Sequence, residues 1–478
     1  MAFFHVSVYD ERSSKDAAYP SVIPSVGDSP EFERRYLDQE QPKHDTPVGT
    51  PGVDEGDDAG KTLSPDDLAL DFAPPGPCYV ALKNNVSTTE MELSCQQWQP
   101  GTEEFVPHHV LGDYIQDTAT NNGVQDIIRY NTRVDAVRKE GDKWQVNTSS
   151  LDPGNPGARP IEQVEYFDAV VVASGHYHAP NIPDIPGLAA WKKAFPDRVS
   201  HSKRYRTPDD FKDQNVLLIG AGVSSIDIAK DVGNHARAVY QSSRGGPYDL
   251  PSHLLPDNGI RVAGIESFGL PESNQLASDG SVPATVTLKS GQKLCNIHKV
   301  VVCTGYHASL PFLRQFHSDN TPIEEADQFT LITNGQANHN LHKDIWYIPD
   351  PTLSFCGVPF HVATFPLFEF QAMALAQVYA GKAPLPTTDA MREEYLARLQ
   401  RKGAGRAFHS LKGKGEEIAY VEDLVRLVNR EGGEKLMSGH TQKWLEAYER
   451  RTQRMEAFFS LTRDPEVERK ALELVPKC

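Results

Sequence analysis

The sequence lacks several features that define particular classes of protein. No stretch reaches the roughly 18 uninterrupted apolar residues that a membrane-spanning helix needs, so no membrane span is predicted. The first residues, MAFFHVSVYDERSS, contain only a short apolar run before an acidic residue, which does not predict a secretory signal peptide. The 6 cysteines lie far apart and form no C-x-x-C pair, as is typical of a reduced protein. These absences predict a cytoplasmic protein.

Positive charge is also scarce. The chain has 48 Lys and Arg residues against 65 Asp and Glu residues, a net charge of −17 at pH 7. Nucleic-acid phosphates and anionic membrane surfaces are bound by clusters of Lys and Arg, so neither partner is expected. No metal site is predicted, and association into a homodimer remains open. The length of 478 residues exceeds that of one compact domain and predicts two or three.

Both ends of the chain differ in composition from its middle. Residues 24–77 are rich in Pro, Gly and acidic residues, a composition that buries little apolar surface and predicts a flexible insert. Before this insert, residues 5–9 predict a β-strand that Asp10 and Glu11 close. From about residue 386 the chain is charged and has helical periodicity, which predicts surface helices.

Two apolar stretches, residues 168–177 and 298–306, each contain a run of valines that ends in Ser-Gly or Thr-Gly. Continuous apolar runs are typical of central strands in a parallel sheet that is covered on both faces. Residues 215–225, with the sequence NVLLIGAGVSS, lie between them and predict a strand, a tight glycine turn and the start of a helix. The alternation of strands and helices predicts an α/β fold.

The glycine turn carries the strongest local chemistry. Gly220 permits a tight turn after the strand, and Gly222 lets the backbone approach a pyrophosphate. The helix N-terminus at Ser224 and Ser225 offers free N–H groups and a positive dipole end to that anion. Ser225 stands where Gly or Ala is usual for close helix packing. Because the turn follows an apolar strand and opens a helix, we predict a dinucleotide site, with a plain structural turn as the alternative.

The choice of dinucleotide depends on the strand that follows this helix. That strand ends in Ser-Ser-Arg, at residues 242–244, without the acidic residue that binds the ribose hydroxyl of NAD. A guanidinium at Arg244 suits the additional 2′-phosphate of NADP. We therefore predict NADPH in preference to NADH. The alternative is a solvated arginine.

A more specific pattern lies just upstream, at residues 195–205 with the sequence FPDRVSHSKRY. It resembles the F-x-G-x-x-x-H-x-x-x-(Y or F) fingerprint of flavin-containing monooxygenases, with Asp197 in place of the glycine. The resemblance implies a cofactor-binding or interdomain role for His201 and a cofactor-binding role for Tyr205. Taken alone, a histidine such as His201 is more often a loop residue whose hydrogen bonds are satisfied.

Further segments resemble the same family in the correct order along the chain. Residues 105–108, FVPH, resemble the entry to a family helix and lead into the helical segment VLGDYI. Cys-Thr-Gly-Tyr at 303–306 resembles a family signature, and this implies a cofactor-binding role for Thr304 and Gly305. Residues 365–371, FPLFEFQ, resemble the part of the chain that returns to the flavin, and this implies a cofactor role for Gln371. Residues 79–86, YVALKNNV, with Met91, resemble a stretch that contains the family's catalytic asparagine.

The resemblance implies a fold and a reaction. The fold has two dinucleotide-binding, Rossmann-like domains, with the NADP domain inserted in the FAD domain, and C-terminal helices. We expect the first part of the FAD domain at 1–190, the NADP domain at 191–325, and the second FAD part with the helical region at 326–478. In the reaction, NADPH reduces FAD, dioxygen adds to the reduced flavin, and one oxygen atom passes to a soft nucleophile. Asn85 is expected to donate a hydrogen bond to the developing charge on oxygen; an Asx turn is the alternative.

One departure from the family pattern concerns the FAD site. Members of this family begin with a strand and a G-x-G-x-x-G turn that binds the FAD pyrophosphate, and this sequence has no such motif. Its start resembles the second strand, where Asp10, or its neighbour Glu11, matches the acid that binds the FAD ribose. A strand and crossover helix of roughly 25 residues have no counterpart. We expect a truncated version of a longer protein; a degenerate active enzyme and a non-catalytic protein are the alternatives.

Three functions compete. The first is a monooxygenase that acts on an amine nitrogen or sulfide sulfur of a small molecule, and the resemblance associates it with N-hydroxylation or S-oxygenation in secondary metabolism. The second, a flavin reductase or dithiol oxidoreductase, requires a redox cysteine pair that the sequence lacks. The third is a catalytically impaired relic that binds NADPH and acts as a binding protein. We favour the first.

Overall fold

The computed structural model describes residue 72 and residues 74–152, 154–155, 158–271, 273–319, 321–429, 433–461 and 464–473. The predicted strand at residues 5–9, Asp10, Glu11 and nearly all of the predicted insert at 24–77 lie outside the described residues.

The described residues contain α-helices that we number in chain order: α1 (His108–Asn121), α2 (Leu188–Ala194), α3 (Val223–Gly233), α4 (Thr364–Tyr379), α5 (Thr388–Lys402), α6 (Glu416–Val428), α7 (Gln442–Phe459) and α8 (Pro465–Glu473). The strands are β1 (Thr132–Glu140), β2 (Lys143–Ser150), β3 (Ile161–Phe167), β4 (Val170–Val172), β5 (Ala179–Pro180), β6 (Val199–His201), β7 (Asn215–Ile219), β8 (Ala238–Ser243), β9 (Gly259–Ala263), β10 (Ile265–Phe268), β11 (Val286–Leu288), β12 (Lys293–Leu294), β13 (Lys299–Val302), β14 (Tyr306–His307), β15 (Leu341–His342), β16 (Trp346–Tyr347) and β17 (Leu353–Phe355).

The chain forms two compact units. The first unit consists of Leu82–His178 and His307–Phe458, and the second consists of Ala179–Tyr306 with the described residues before 82 and after 458. Most of the second unit is therefore inserted in the chain between the two parts of the first. Both units contain strands and helices, which confirms the predicted α/β class.

The second unit is built on a five-stranded parallel sheet with the order β6-β13-β7-β8-β9. The strand predicted at 215–219 is β7, which lies in the middle of this sheet and is buried along its whole length. The valine run predicted at 298–306 is β13, which pairs with β7 on one side and β6 on the other. The predicted strand at 215–219 and the predicted central parallel strand at 298–306 are both confirmed.

Alternate residues of this sheet belong to separate cores on its two faces. On one face, Leu217 packs in a cluster with Trp191 of α2 and Val286 of β11. On the other face, Leu218 packs in a cluster with Ile226 of α3. Because the side chains of a strand alternate between faces, a continuous apolar run is what a sheet covered on both sides requires.

The first unit contains two smaller sheets. Strands β1, β2 and β3 form an antiparallel sheet in that order, and β15, β16, β17 and β4 form a mixed sheet. Trp144 of β2 and Leu353 of β17 are buried in one shared cluster with Leu313. The predicted helix in VLGDYI is confirmed as α1, where Tyr114 is buried.

The valine run at 168–177 differs from its prediction. Only Val170–Val172 forms a strand, and in the described part of the chain β4 pairs with β17 alone and lies at the sheet edge. Val170 and Val171 are only partly buried. The expectation of a central strand covered on both faces is therefore wrong for the described residues, because an apolar run does not specify how many neighbours a strand has.

The helices predicted after residue 386 are confirmed, and each of those in the first unit buries one face. Helix α6 packs Val421 and Leu424 against Leu367 of α4, whereas α5 and α7 bury Tyr395 and Trp444. An apolar stripe with charged residues on the opposite face is the pattern of a helix at the surface of a globular domain.

Glu417 is an exception on α6, because this carboxyl group is 1% exposed. It accepts a hydrogen bond from the backbone N–H of Ala363 at 2.9 Å. Burial raises the pKa of Glu417 to about 7, and the nearby Glu90 adds to this rise, while the Ala363 hydrogen bond and Arg451 oppose it. The ordinary value is 4.5. The unfolded chain therefore releases this proton at lower pH than the folded protein. As the pH rises from 4.5 to about 7, the folded protein becomes progressively less stable relative to the unfolded chain.

We predict that Glu417→Gln stabilises the protein at pH 8, because the amide removes the cost of burying an ionised carboxylate. The pKa shift corresponds to an increase in the free energy of unfolding on the order of 3 kcal/mol at pH 8, and most of that increase should vanish at pH 5. Urea unfolding at both pH values measures it. Glu422→Gln on the exposed side of the same helix is the control. An equal effect of Glu417→Gln at both pH values would contradict the prediction.

Candidate functional site

The glycine turn of the second unit joins the carboxyl end of β7 to α3. Gly220 has a φ of 108°, in the left-handed region that favours glycine. A Cβ atom at this position would lie 2.6 Å from the carbonyl oxygen of Cys303, just after β13. Gly220 is therefore required both by its backbone conformation and by the close approach of the neighbouring chain segment.

Gly222 has a different environment, although it belongs to the same turn. It is the N-cap of α3, its φ is −83°, and a Cβ atom there would meet only the carbonyl oxygen of Tyr248 at 4.0 Å. No side chain of the described residues caps the first turn of α3, and Ser224 is exposed. The first N–H groups of the helix thus have no side-chain acceptor among the described residues, and the positive end of the helix dipole lies at the same place. This geometry suits an anionic phosphate group.

Ser225 occupies the position where the helix packs against the sheet. Its side chain is fully buried, and its hydroxyl accepts a hydrogen bond from Nε2 of Gln241 on β8 at 2.7 Å. Oε1 of Gln241 in turn accepts from Nε of Arg261 at 2.8 Å. A hydroxyl replaces the usual Gly or Ala here because a partner on the adjacent strand satisfies it.

Arg244 directly follows β8 and is exposed. Its guanidinium makes no hydrogen bond or ion pair with any described residue. The neighbouring Ser243 donates a hydrogen bond to Asp249, whose carboxylate also accepts from the N–H of Gly246 at 3.1 Å. The acidic residue of the loop after β8, Asp249, is therefore bound by Ser243 and Gly246, and it does not pair with the guanidinium of Arg244.

His201 is buried at the end of β6, with 2% of its surface exposed. Nδ1 accepts a hydrogen bond from the N–H of Lys203 at 3.1 Å, so Nε2 carries the proton and donates to the carbonyl of Gly305 at 3.1 Å. Burial lowers the pKa of His201 to about 4, which keeps the ring neutral at pH 7. Both nitrogens are thus engaged within the second unit.

Thr304 and Gly305 form the turn that His201 contacts. The Thr304 hydroxyl donates to the carbonyl of Asn181, and the N–H of Asn181 donates to the carbonyl of Gly305 at 2.8 Å. Gly305 has a φ of 81°. The turn after β13 is therefore held from two sides, and its carbonyl oxygens are already used.

Tyr205 is buried and its hydroxyl donates to the carboxylate of Asp231 on α3. Tyr79 packs against it edge-to-face at 5.6 Å and donates to Asp227, one turn earlier on the same helix, at 3.0 Å. Together the two tyrosines fix the helix whose N-terminus faces the glycine turn.

In the first unit, the two asparagines of residues 82–93, which we call the asparagine loop, have opposite environments. Nδ2 of Asn84 donates to the carbonyls of Val86 and Glu104 at 2.7 and 2.8 Å, and its Oδ1 accepts from the N–H of Val106 at 2.6 Å. Asn85 is exposed, and its side chain makes no hydrogen bond with the part of the chain that the structure describes. Asn84 thus stabilises the loop, and Asn85 presents a free amide.

Gln371 on α4 also lies in the first unit and is fully buried. Its Oε1 accepts from the N–H of Gly357 at 2.8 Å, and its Nε2 donates to the hydroxyl of Tyr420 at 2.7 Å. The side-chain amide is therefore shared between a glycine turn, where φ of Gly357 is 90°, and helix α6.

Several residues that complete these arrangements carry no local sequence signal. Asn181, Gln241 and Asp231 each satisfy a predicted site residue, but they are far from it along the chain. Only the arrangement of the strands and helices brings them together. Asn84 stands directly beside the predicted Asn85, but the sequence does not show which of the two asparagines holds the loop and which has a free amide.

A parallel sheet with an open glycine turn at the end of its central strand, and a cationic residue after the next strand, defines a dinucleotide-binding α/β protein. The family model FMO-like, described as flavin-binding monooxygenase-like, matches residues 78–257. Flavin-containing monooxygenase ustF2 of Aspergillus flavus is 41% identical over 94% of this chain and 86% of its own length. Flavin-containing monooxygenase iboF of Amanita muscaria is 33% identical over 76% of this chain and 71% of its own length.

The chain belongs to the flavin-containing monooxygenase family, which confirms the resemblance found in the sequence. It is an oxidoreductase of the flavin-dependent monooxygenase class, with FAD and NADPH as cofactors. Among solved structures, S-allyl-L-cysteine S-oxygenase from Allium sativum matches with a TM-score of 0.60 and 26% identity, over 83% of this chain and 84% of that one. This match confirms the predicted fold class.

Two observations concern other kinds of site in the described ranges. No helix there is both long and apolar enough to span a lipid bilayer. No group of three or more His, Cys, Asp or Glu side chains within those ranges is arranged to hold a metal ion.

We predict that Gly220→Ala and Gly222→Ala separate the structural glycine from the ligand-facing one. Gly222→Ala should leave the melting temperature unchanged but weaken NADP⁺ binding by on the order of tenfold or more, because a methyl group occupies the space for the pyrophosphate. Gly220→Ala should lower the melting temperature, because its Cβ meets a backbone carbonyl. Calorimetric titration and thermal unfolding measure the two effects. Unaltered NADP⁺ affinity in Gly222→Ala would rule out this turn as the pyrophosphate site.

Proposed function

We propose that the protein transfers one oxygen atom of dioxygen to an amine nitrogen or a sulfide sulfur of a small molecule, with NADPH as the electron donor. The observation that carries this proposal is the open glycine turn at Gly220 and Gly222 in a chain of the flavin-containing monooxygenase family. The name of the Allium sativum relative, an S-allyl-L-cysteine S-oxygenase, supports sulfur as one acceptor atom. A role in secondary metabolism and a cytosolic location, where free thiols persist, belong to the same proposal.

The second unit fits the NADPH half of this reaction. The glycine turn and the N–H groups at Ser224 and Ser225 would hold the pyrophosphate, and Arg244 would pair with the 2′-phosphate. Bound NADPH would supply the hydride that starts the reaction. The protein contributes a fixed turn and a free cation. In the described chain, no hydrogen bond or ion pair of Arg244 has to break before the cofactor binds.

The other predicted residues of the second unit support this turn indirectly. The ring nitrogens of His201, the hydroxyl of Tyr205 and that of Thr304 are all engaged within the protein. We therefore assign them positioning roles: His201 and Thr304 hold the turn at Gly305, and Tyr205 holds α3.

The described residues of the first unit do not by themselves fit the pyrophosphate of FAD. No glycine turn among them leads directly from a strand into a helix, as Gly220 and Gly222 do in the second unit. Asp10 and Glu11, proposed for the ribose of FAD, lie outside the described residues. Gln371 uses both ends of its amide within the protein, so we assign it the role of holding Gly357 in place. The expected FAD domain at 1–190 and 326–478, and the NADP domain at 191–325, remain our proposed assignment.

Asn85 is the residue that we propose to act at the reacting oxygen. Its exposed amide is free to donate a hydrogen bond, because Asn84 makes the bonds that hold the loop. A hydrogen-bond donor at this position would stabilise the developing negative charge on oxygen. No general base is needed on the substrate, since an amine or sulfide lone pair is itself the nucleophile.

The proposed function is tested with the full chain, purified and incubated with FAD. We expect a flavin absorbance band between about 350 and 500 nm that bleaches on addition of NADPH and recovers in air. Methyl phenyl sulfide and N,N-dimethylaniline, analysed for sulfoxide and N-oxide, would identify the acceptor atom. A colourless protein that binds NADP⁺ but cannot be reconstituted with FAD would overturn the proposal in favour of an NADPH-binding protein without catalysis.

We predict that Arg244→Gln lowers the preference for NADPH over NADH, because only NADPH carries the 2′-phosphate that the guanidinium pairs with. The KM for NADPH should rise on the order of tenfold or more, while the KM for NADH stays constant. Steady-state oxidation of both nucleotides measures the change. Arg237→Gln, which removes another exposed arginine before the same strand, is the control. An equal rise for both nucleotides would contradict a phosphate contact.

A further inference from the structure

A buried ionic group in the first unit connects the asparagine loop to helix α7. Glu90 lies five residues after Asn85 and is 0% exposed. One oxygen of its carboxylate accepts from the hydroxyl of Ser87 at 2.9 Å, and the other accepts from Nε of Arg451 on α7 at 2.7 Å. Since a buried carboxylate is stable only when it is paired, Arg451 is needed for this turn to keep its conformation.

Helix α7 contacts the same loop at three further points. The indole N–H of Trp444 donates to the backbone carbonyl of Glu90 at 3.0 Å, and Lys443 pairs with Glu92 at 2.8 Å. Val86, the residue next to Asn85, packs in a small apolar cluster with Trp444 and Tyr448. The loop and the helix are about 350 residues apart in the chain, so these contacts exist only in the folded protein.

The guanidinium of Arg451 is itself held in place. It lies over the ring of Tyr448, at 5.1 Å from the centroid, and the Tyr448 hydroxyl accepts from the N–H of Gly415 at 2.8 Å. Nη2 lies 3.6 Å from Oε2 of Glu417, an ion pair without a hydrogen bond. One cation therefore lies between the buried side chains of Glu90 and Glu417, and the ring of Tyr448 supports its planar group.

We propose that Arg451 is a positioning residue for Asn85: through Glu90 it fixes the turn of the asparagine loop, so that helix α7 controls oxygen transfer without touching the substrate. This inference rests on the role proposed for Asn85. The side chain of Asn85 has no partner of its own in the described chain, and its direction depends on the backbone that Ser87 and Glu90 hold. A misplacement of about 1 Å is enough to lose most of the benefit of a fixed donor.

The test compares Arg451→Met with Arg451→Lys and with Arg450→Met, whose side chain is exposed on the same helix. The first readout is amide hydrogen exchange across residues 82–93 in the full chain, which requires no catalysis. We expect Arg451→Met to exchange faster in this segment, Arg451→Lys to retain most of the protection because one cation remains, and Arg450→Met to match the unmodified protein.

The second readout is the share of consumed NADPH that appears as oxygenated product instead of hydrogen peroxide. We expect this share to fall on the order of tenfold in Arg451→Met and in Asn85→Ala, with the KM for NADPH unchanged. A variant that loses protection but keeps its full product share would show a structural contact only and overturn the proposal. Unaltered exchange in Arg451→Met would overturn it as well.

Two further results would have to be interpreted: a variant that does not fold and an unmodified protein without activity. If Arg451→Met does not fold because Glu90 is left unpaired, the double variant Glu90→Gln with Arg451→Met removes both charges and must show the same loss of protection and product share. If the unmodified protein does not oxidise NADPH at all, the proposed function fails. Faster exchange in Arg451→Met would still support the link between α7 and the loop in that case.

Discussion

The close approach of Gly220 to the carbonyl of Cys303 is the constraint on which the second unit depends. Because no side chain fits there, the chain turns sharply at the end of β7, and α3 starts at the carboxyl edge of the sheet. That placement brings the free N–H groups of the helix to the edge where Arg244 follows β8. The proposed dinucleotide site thus depends on how closely two parallel strands end beside one another.

Polar groups in both units divide into those that the protein satisfies and those that it leaves free. His201, Thr304, Tyr205, Gln371 and Asn84 each have their hydrogen bonds completed by another part of their own unit. The helix N-terminus of α3, Arg244 and Asn85 do not, in the described chain. Since an unpaired polar group is tolerated where a ligand or water can reach it, the free groups are the candidates for direct contact, and the satisfied ones hold them in place.

Sequence patterns predicted the local elements well and their partners less well. The run at 215–225 predicted β7, the turn and α3, because each of these depends on residues next to one another. The two valine runs looked alike, yet β13 is central and β4 is an edge strand among the described residues. Asn84 and Asn85 were equally indistinguishable, since which amide is free depends on the carbonyl of Glu104 and the N–H of Val106.

By itself the sequence determined the α/β class, the glycine turn and the family with its cofactors FAD and NADPH, because these follow from short motifs in a fixed order. Only the tertiary structure decided which of the predicted residues keep a free polar group. It also decided that Arg451 meets Glu90 and Glu417, although no motif joins residues so far apart. The physical reason is that burial and hydrogen-bond saturation are properties of the packed chain, and a residue type alone does not reveal them.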